Sequence, residues 1–383
     1  MIDLLAPVEP RYGRGSLADV LPSALHVLGV PGEPDLLGLA PMLQGVRRLA
    51  IVLLDGLGWH QLPTAAPYTP TITDIAGGRL GSARPITAGF PSTTPVSLVT
   101  LGTGAAPGRH GIVGFTLNQP GTDKVVNHLH WIDEPDPAAW QPLPTAFTRA
   151  RAAGLDPAVV TNPAFTGTGL TASAYRGARF GPGVAADAVA AEMLAMLAES
   201  RLVYGYLPDV DRAGHDFGIG TPEWRASAAD ADRLITRLVD ALPPDAALLV
   251  TADHGQLDVP PDRRLDLDTD PRLTAGVAIV AGEPRVRYLH TVPGAQPDVL
   301  SAWRETLGDG AWVATREEAV ATGWFGPVPE HHLSRIGDVV VACRDRWIVL
   351  ASAHEPARLG KMIAFHGSST AAEMHIPLLV VRP

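Results

Sequence analysis

Aspartate and histidine residues follow several apolar stretches of this sequence at the point where each stretch ends. The segment LLVTADHGQLD, residues 248–258, runs from an apolar stretch into Asp253, His254 and Gly255. Turns often use these residue types, so a turn is one interpretation of the segment. Carboxylate and neutral imidazole are also ligands that zinc accepts, so a metal site is the other. On this segment alone, both interpretations stay open.

Two further apolar stretches end in the same way. LAIVLL is followed by Asp55, and RLVYGYL is followed by Asp209, Asp211 and His215. A single carboxylate after a strand is usually an ordinary cap or turn. In parallel α/β sheets, however, ligands bind beyond the carboxyl ends of the strands. Carboxylates gathered at one sheet edge would repel one another unless cations held them, which favours the metal site.

Two histidines flank the final apolar stretch, and their surroundings predict different roles. His366 is followed by Gly367 in a loop, where its side chain can point towards the sheet edge. His375 lies between Met374 and Ile376, and lone histidines of this kind are usually structural. We therefore expect His366 to belong to the site and His375 to be packed or half-exposed.

A candidate nucleophile lies in GFPSTTPVSLVTLGTG, residues 89–104. Thr94 precedes Pro95, which fits a helix with the threonine at its N-cap and the proline at its first helical position. A hydroxyl there faces backbone N–H groups and a partial positive charge, where a phosphate group would bind well. Taken by itself, the pattern is more typical of an ordinary helix cap.

The elements that must position these residues are short apolar strands alternating with helices. Continuous rather than alternating apolarity favours strands that are covered on both faces, as in parallel sheets. Helices are predicted over 221–242, which begins with Thr-Pro-Glu, and over 184–199. The alternation predicts an α/β layered fold with a largely parallel central sheet covered by helices on both faces. The predicted strands are 49–54, 158–161, 201–207, 246–252 and 376–382.

The segment 271–345 has a different pattern, which reads as strand, helix, short strand, helix and strand. We predict a small inserted α+β subdomain there, with a cap-like position. The remaining segments, 1–270 and 346–383, are predicted to form the metal-binding α/β core.

Composition excludes several classes of function. The chain has 383 residues, of which 46% are apolar and 18% charged, which is typical of a globular protein. Its net charge of -10, without a Lys/Arg-rich run, argues against a nucleic-acid groove. The single cysteine, Cys343, excludes an intramolecular disulfide. We find neither a signal peptide nor an apolar stretch of about 18 residues, so we expect a cytoplasmic protein without a membrane span; the oligomeric state is unknown.

Six motifs occur along the chain in the order LLDGLG, FPSTTP…LGTG, PGRHGIVG, DRAGHDFG, TADHG and FHGS. Together they resemble the type I phosphodiesterase/nucleotide pyrophosphatase family of the alkaline phosphatase superfamily. The resemblance covers about residues 48–255 and 360–382 and is weakest in the inserted segment. It implies an alkaline-phosphatase-like fold and the hydrolysis of phosphodiester or phosphoanhydride bonds in small anionic phosphate esters, with nucleotides favoured.

The resemblance also implies two zinc ions. Asp211 is preferred to Asp209 as a ligand because the family pattern places the aspartate four residues before the histidine. The implied ligands are Asp211, His215 and His366 for one ion, and Asp55, Asp253 and His254 for the other.

Beside the second ion, the family carries a nucleophilic threonine that forms a covalent phosphothreonine-type intermediate. Counting back nine residues from Thr103, which resembles the threonine that ends the family's helix, reaches Thr94. Thr93 and Ser92 are the alternatives. The sequence also departs from the family pattern, because Phe115 stands where nucleotide pyrophosphatases carry an asparagine that holds a phosphoryl oxygen.

This departure leaves the substrate class open. A phosphonate or phosphomonoester hydrolase on the same zinc pair is the alternative enzyme, and a non-catalytic metal-stabilised binding protein is the alternative from another class. A sulfatase is not expected, because sulfatases need a modified Cys or Ser in a characteristic motif and Cys343 lies elsewhere.

Overall fold

The protein is described by a computed structural model that covers residues 3–132 and 134–382. The strands are β1 (Arg48–Leu54), β2 (Ser82–Thr87), β3 (Thr116–Asn118), β4 (Val125–Asn127), β5 (Ala158–Thr161), β6 (Arg179–Pro182), β7 (Leu202–Leu207), β8 (Ala246–Thr251), β9 (Leu257–Asp258), β10 (Arg264–Asp266), β11 (Val277–Glu283), β12 (Val286–Thr291), β13 (Ala311–Thr315), β14 (Val339–Cys343), β15 (Ile348–Leu350), β16 (Ala364–Phe365) and β17 (His375–Val381).

The α-helices are α1 (Val20–Val27), α2 (Leu62–Ala65), α3 (Pro70–Ala76), α4 (Thr94–Thr103), α5 (Pro107–His110), α6 (Pro137–Trp140), α7 (Ala146–Ala152), α8 (Gly169–Tyr175), α9 (Ala186–Glu199), α10 (Asp209–Phe217), α11 (Pro222–Asp240), α12 (Pro271–Thr274), α13 (Gln296–Leu307), α14 (Arg316–Ala321), α15 (Glu330–Leu333) and α16 (Ala371–Met374). Within the parts of the chain that the structure covers, none of these helices is long and apolar enough to cross a bilayer.

A seven-stranded sheet with the order β2-β17-β8-β1-β7-β5-β6 forms the centre of the fold. β1 pairs in parallel with β7 on one side and with β8 on the other. β17 is the exception, because it runs antiparallel to both β8 and β2. Its sequence is as continuously apolar as that of the parallel strands, since it too is buried on both faces. The predicted α/β fold with a largely parallel sheet is confirmed.

The continuous apolarity of β1 follows from packing on both faces of the sheet. Its odd-numbered residues from Leu49 to Leu53 share a hydrophobic cluster with side chains of α1 and α4. Its even-numbered residues from Ala50 to Leu54 share another cluster with α9 and α11. Successive side chains of the strand therefore face opposite layers. Truncating a buried leucine to alanine in either layer costs about 2–5 kcal/mol.

The start of α11 follows the predicted capping pattern. The Thr221 hydroxyl accepts a hydrogen bond from the Trp224 N–H at 3.4 Å, and Pro222 is the first helical residue. Trp224, Leu234 and Ile235 then recur on one face and pack beneath the sheet. The helix ends at Asp240, two residues earlier than the sequence pattern indicated.

A second sheet, of four antiparallel strands in the order β11-β12-β14-β13, lies within the segment 271–345. It has a hydrophobic cluster of its own that includes Trp303 of α13. The sequence pattern missed β11, whose first four residues are half-buried or exposed. Only Pro284 and Arg285 separate its end from β12. The division of the chain into a core and a subdomain at these boundaries stays a prediction.

Candidate metal centre

The register of the central strands brings their carboxyl ends together. The Asp55 N–H donates to the Leu207 carbonyl at 3.0 Å, so the residue after β1 lies beside the end of β7. The Asp211 N–H in turn donates to the Asp55 carbonyl at 3.0 Å, which places the first turn of α10 against the same point. On the other side, β1 pairs with β8, which ends two residues before Asp253.

One group of side chains surrounds the His254 Nε2 atom. This atom lies 3.4 Å from Asp55 Oδ1 and 3.2 Å from Asp253 Oδ2. The Thr94 Oγ1 atom lies 3.3 Å from the same nitrogen. Asp55, Asp253 and His254 are buried and close enough together to hold one metal ion.

A second group lies next to the first. His215 Nε2 is 3.3 Å from Asp211 Oδ2 and 3.2 Å from His366 Nε2. The rings of His366 and His254 stack with their centroids 3.5 Å apart, so the two groups adjoin. Asp211 and His366 also lie close enough to His254 to share an ion with it, which puts His254 at the boundary between the groups.

The rings of His215, His254 and His366 each hydrogen-bond to a backbone carbonyl on the side that faces away from the cluster. Their Nδ1 atoms lie 2.7 Å from the Ala364 carbonyl for His215, 2.9 Å from the Ser92 carbonyl for His366 and 3.1 Å from the Gly255 carbonyl for His254. A carbonyl can only accept, so each Nδ1 carries the proton. In the neutral ring, each Nε2 therefore keeps a lone pair directed into the cluster, as in metal-binding histidines.

Two buried carboxylate oxygens face this cluster without a hydrogen-bond donor among the residues that the structure describes. They are Asp55 Oδ1 and Asp253 Oδ2, the atoms nearest to His254 Nε2. Leaving buried polar atoms without partners is costly, and such atoms call for an explanation. A divalent cation between them would supply the missing partner, and the Asp/His donor set suits zinc.

The electrostatics of the cluster also favour a cation. Burial raises the pKa of Asp55 well above its usual value, and the nearby carboxylates of Asp253 and Asp211 raise it further. Burial alone would raise the pKa of Asp211 as well, but His215 and His366 outweigh that effect and hold it below its usual value. The raised pKa of Asp55 indicates that this carboxylate lacks enough positive charge nearby, which a bound cation would supply.

The helix that carries Thr94 begins one residue earlier than predicted. Thr93, not Thr94, is the N-cap, because its carbonyl accepts the first intrahelical bond from the Ser97 N–H at 2.9 Å. Thr94 is the first helical residue and Pro95 the second. The Ser97 hydroxyl donates to the Asp253 carbonyl at 2.9 Å, which anchors this first turn to the end of β8.

Two glycines allow the backbones at the site to approach closely. Gly56 has φ +74°, and a Cβ atom there would lie 2.8 Å from the Asp211 Cα atom. Gly255, in contrast, does not have a positive φ, so the turn beside the cluster does not depend on the left-handed conformation that glycine allows. A Cβ atom there would instead lie 2.1 Å from the Ala372 carbonyl oxygen, so close packing against the segment before β17 requires the glycine.

Two residues from the sequence analysis lie outside the cluster. Asp209 opens α10, and its carboxylate lies 3.6 Å from the Arg212 guanidinium. His375 is half-buried at the start of β17, where its Nδ1 atom lies 2.9 Å from His60 Nε2. All seven residues predicted for the site converge at one sheet edge, while their roles in metal binding and catalysis stay a prediction.

Three further residues touch the site and were missed in the sequence. The Tyr206 hydroxyl donates to Asp55 Oδ2, and Gln256 Nε2 donates to Asp211 Oδ1 at 2.5 Å. Glu283 enters from the end of β11, and burial raises its pKa to about 8. A signal existed for Tyr206, which is the penultimate residue of a predicted strand, and for Gln256, which lies two residues after His254. Nothing local marked Glu283.

The cluster opens into a cavity of about 1040 Å³. Its walls come from the core and from the four-stranded sheet, which supplies Val277, Ile279 and Glu283. Phe115 also lines the cavity. Arg212, whose side chain is 56% exposed, is a cation in the wall.

Comparisons with solved structures agree with this architecture. Murine ectonucleotide pyrophosphatase/phosphodiesterase 5 is 22% identical, with a TM-score of 0.69 and 88% of each chain covered. An inactive form of the murine protein in complex with AMP is 21% identical with a TM-score of 0.67 over 88% of each chain. Phosphonoacetate hydrolase from Sinorhizobium meliloti, in complex with phosphonoformate, is 22% identical with a TM-score of 0.66 over 88% of this chain and 90% of that chain. At sequence identities of 21–22%, these similarities show that the chain shares the fold of these proteins.

No curated protein matches the chain. Residues 49–369, in contrast, match the family described as type I phosphodiesterase / nucleotide pyrophosphatase, whose members are metal-dependent hydrolytic enzymes. The match includes every predicted site residue and the four-stranded sheet. The chain is therefore an enzyme that belongs to the type I phosphodiesterase / nucleotide pyrophosphatase family of the alkaline phosphatase superfamily.

Proposed function

We propose that the protein is a zinc-dependent hydrolase of phosphodiester or phosphoanhydride bonds in small molecules, with nucleotides favoured. The position of Thr94 is the observation that carries this proposal. Its hydroxyl lies in the wall of the cavity, 3.3 Å from His254 Nε2, beside buried carboxylate oxygens that have no donor. The predicted nucleophile, the predicted cation site and room for a substrate thus lie side by side, which supports the proposal.

The ligands would be divided as the family resemblance implies. Asp55, Asp253 and His254 would hold one zinc ion, and the other would be held by Asp211, His215 and His366. When bound, the two ions supply positive charge that stabilises the phosphoryl oxygens and lowers the pKa of a neighbouring hydroxyl.

Thr94 acts as the nucleophile in this proposal. Its oxygen forms a bond to phosphorus while the bond from phosphorus to the leaving-group oxygen breaks, and the hydroxyl proton passes through solvent to that leaving group. The product on the chain is a phosphothreonine-type ester. Water then attacks the phosphorus, which releases the phosphorylated product and restores the hydroxyl. The first turn of α4 adds N–H groups and the positive end of a helix dipole next to the phosphoryl group.

The inserted segment would complete the substrate pocket. Val277 and Ile279 of β11 line the cavity opposite the core, so the leaving group would contact both parts of the chain. The complex of murine ectonucleotide pyrophosphatase/phosphodiesterase 5 with AMP supports a small phosphate ester as the ligand. Two zinc ions would offset the chain's own negative charge and receive such an anion.

A phosphonate or phosphomonoester hydrolase is the second candidate. Phe115 favours it, because a phenyl ring cannot donate the hydrogen bond that an asparagine offers to a phosphoryl oxygen. The likeness of the fold to phosphonoacetate hydrolase gives further support.

A substrate panel with the zinc-loaded protein separates the candidates. It should contain bis(p-nitrophenyl) phosphate, p-nitrophenyl phosphate, phosphonoacetate and a dinucleotide, each assayed with and without chelator. We expect chelator-sensitive hydrolysis with kcat/KM higher for the diesters than for the monoester. A preference for the monoester or for phosphonoacetate would support the second candidate, and no turnover of any compound would contradict the proposed function.

A further inference from the structure

A buried ion pair joins the four-stranded sheet to the segment that carries His366. Arg285 lies between β11 and β12, and Glu373 lies in α16, just before β17. The Arg285 guanidinium donates from Nε to Glu373 Oε1 at 2.9 Å and from Nη2 to Oε2 at 2.7 Å. Both side chains are completely buried. The bidentate geometry fixes the relative orientation of the two groups.

Glu373 passes this connection on to the loop that contains His366. Its Oε1 atom accepts a hydrogen bond from the Ser368 N–H at 3.0 Å. Ser368 also donates its hydroxyl to the carbonyl of Cys343, the last residue of β14, at 2.6 Å. The loop from His366 to Ser368 is thus fastened to the four-stranded sheet at two points.

The same loop holds the segment that precedes the nucleophile. The Ser92 N–H donates to the Gly367 carbonyl at 2.9 Å, and the Ser92 hydroxyl donates to the Ser368 carbonyl at 2.6 Å. His366 Nδ1 in turn donates to the Ser92 carbonyl at 2.9 Å. One network of hydrogen bonds therefore runs from Arg285 through Glu373 to His366 and to the segment two residues before Thr94.

A buried ion pair contributes little net stability, because desolvating the two charges offsets most of their attraction. Apolar residues of similar volume would hold the same elements together at least as well. What they would lack is the set of directed hydrogen bonds that fixes Ser368 and, through it, the ring of His366.

We propose that Arg285 and Glu373 are positioning residues, which hold the His366 ring in the orientation that binds a metal ion together with Asp211 and His215. The four-stranded sheet would then contribute to the geometry of the metal centre. This inference rests on the proposed function for its metal ion. It extends that function to residues that touch neither the metal nor the substrate.

The chain offers a matched control in the same strand. Arg287 of β12 forms a bidentate pair with Glu355, at 2.5 and 2.8 Å, and donates to the Val349 carbonyl. Its side chain is 2% exposed, so its burial is similar. Both residues of this pair line the cavity, as His366 does, but their side chains hydrogen-bond only to each other and to the segment 349–355 within the described residues, and not to the loop that carries His366.

The test compares the double variant Arg285→Met/Glu373→Met with the control Arg287→Met/Glu355→Met and with Arg285→Lys, all in the full chain. Each double variant removes both charges, so no uncompensated buried charge remains. Zinc equivalents are measured by elemental analysis after competition with graded chelator, and hydrogen exchange of the peptide containing Ser92 is measured on the metal-free protein.

We expect the Arg285/Glu373 double variant to bind one of two zinc equivalents at least tenfold more weakly and to exchange the Ser92 amide at least tenfold faster. The control should match wild type in both measurements, and Arg285→Lys should fold and recover part of the zinc affinity. Wild-type zinc affinity and exchange in the double variant, or equal losses in the control, would overturn the inference. If wild type itself holds fewer than two zinc ions, the proposed function fails, while the exchange of Ser92 still decides whether the pair positions the loop.

Discussion

Thr94 is the proposed nucleophile, and its surroundings allow that role to be tested in isolation. Its hydroxyl contacts His254 at 3.3 Å and is not the cap of α4, so its removal leaves the helix start unchanged. The loss of one hydrogen bond of this kind costs about 0.5–1.5 kcal/mol of stability. Any large effect of Thr94→Ala must therefore arise in catalysis.

We expect Thr94→Ala to keep its fold and its zinc while turnover of a diester falls by several orders of magnitude, because the covalent route is closed. Thr93→Ala is the control and should stay within about tenfold of wild type, a barrier change of about 1.4 kcal/mol. Steady-state kinetics with zinc analysis of both variants checks this. If Thr93→Ala were the inactive variant instead, the nucleophile would be Thr93.

The two histidines near the C-terminus give a second prediction. His366 Nε2 lies in the cluster, 3.2 Å from His215 Nε2, whereas His375 is paired with His60 at the start of β17. His366→Ala should lose about one zinc equivalent and most of the activity, since a three-ligand site would keep only two ligands. His375→Ala should retain both. Zinc content and diesterase activity that rank the variants the other way would show that the third ligand was misassigned.

At the scale of elements, the contact between the end of β1 and the start of α10 sets the distance between the two groups of predicted ligands. Gly56 makes this contact possible, with φ +74° and no space for a Cβ atom against Asp211. Gly78 has a similar φ of +81° but open space around it, so it isolates the backbone effect. Alanine in the left-handed region costs about 1–2 kcal/mol in either position.

Gly56→Ala should cost more than Gly78→Ala, because it must also displace the first turn of α10. We expect weaker zinc binding in Gly56→Ala alone, since Asp211 and His215 move with that turn. Urea unfolding and chelator competition of both variants measure the two effects. Equal zinc affinities would mean that the contact between Gly56 and Asp211 does not set the ligand geometry.

The elements also show how far the sequence determines this site. Apolar stretches ending in Asp55, Asp211 and Asp253 predicted both the strands and the edge where they meet, because a buried parallel strand is apolar along its whole length. The same pattern could not predict that β17 runs antiparallel to its neighbours, because a strand that is buried on both faces is continuously apolar in either direction. Glu283 and Arg285 could not be predicted, because their proximity to the cluster depends on how the inserted sheet packs.

The helix start at Thr93 illustrates a different limit. A Thr-Thr-Pro sequence offers two caps, and the proline fits either the first or the second helical position. The choice is made by tertiary contacts, since the Ser97 hydroxyl donates to the Asp253 carbonyl and fixes the rotation of the first turn.

At the scale of the whole molecule, buried histidines away from the cluster make stability depend on pH. Burial lowers the pKa of His128 to about 4, and its ring accepts a hydrogen bond from Trp140 Nε1 at 3.1 Å. Burial likewise lowers the pKa of His332 to about 4. The folded protein therefore holds both rings neutral at a pH where the unfolded chain, with a histidine pKa of about 6.5, begins to bind protons.

The direction of this pH dependence follows from the linkage between proton binding and folding. A group whose pKa is lowered by folding contributes its full stability above the unfolded pKa and loses it as the pH falls towards the folded pKa. For His128 this window runs from about pH 6.5 down to about pH 4, with a slope of up to about 1.4 kcal/mol per pH unit.

We expect His128→Gln to reduce the pH dependence of the unfolding free energy of the metal-free protein between pH 6 and 4.5 by about one proton. Urea unfolding at a series of pH values measures this slope, and equal slopes in His128→Gln and wild type would contradict the prediction.

The central claim is that the zinc-loaded protein cleaves a phosphodiester through an ester on Thr94. The most direct measurement is the stereochemical course of hydrolysis of a diester made chiral at phosphorus with sulfur and oxygen isotopes. Each in-line displacement inverts the phosphorus, so attack by Thr94 followed by attack by water predicts net retention. Net inversion would show a single direct attack by water and would contradict the account.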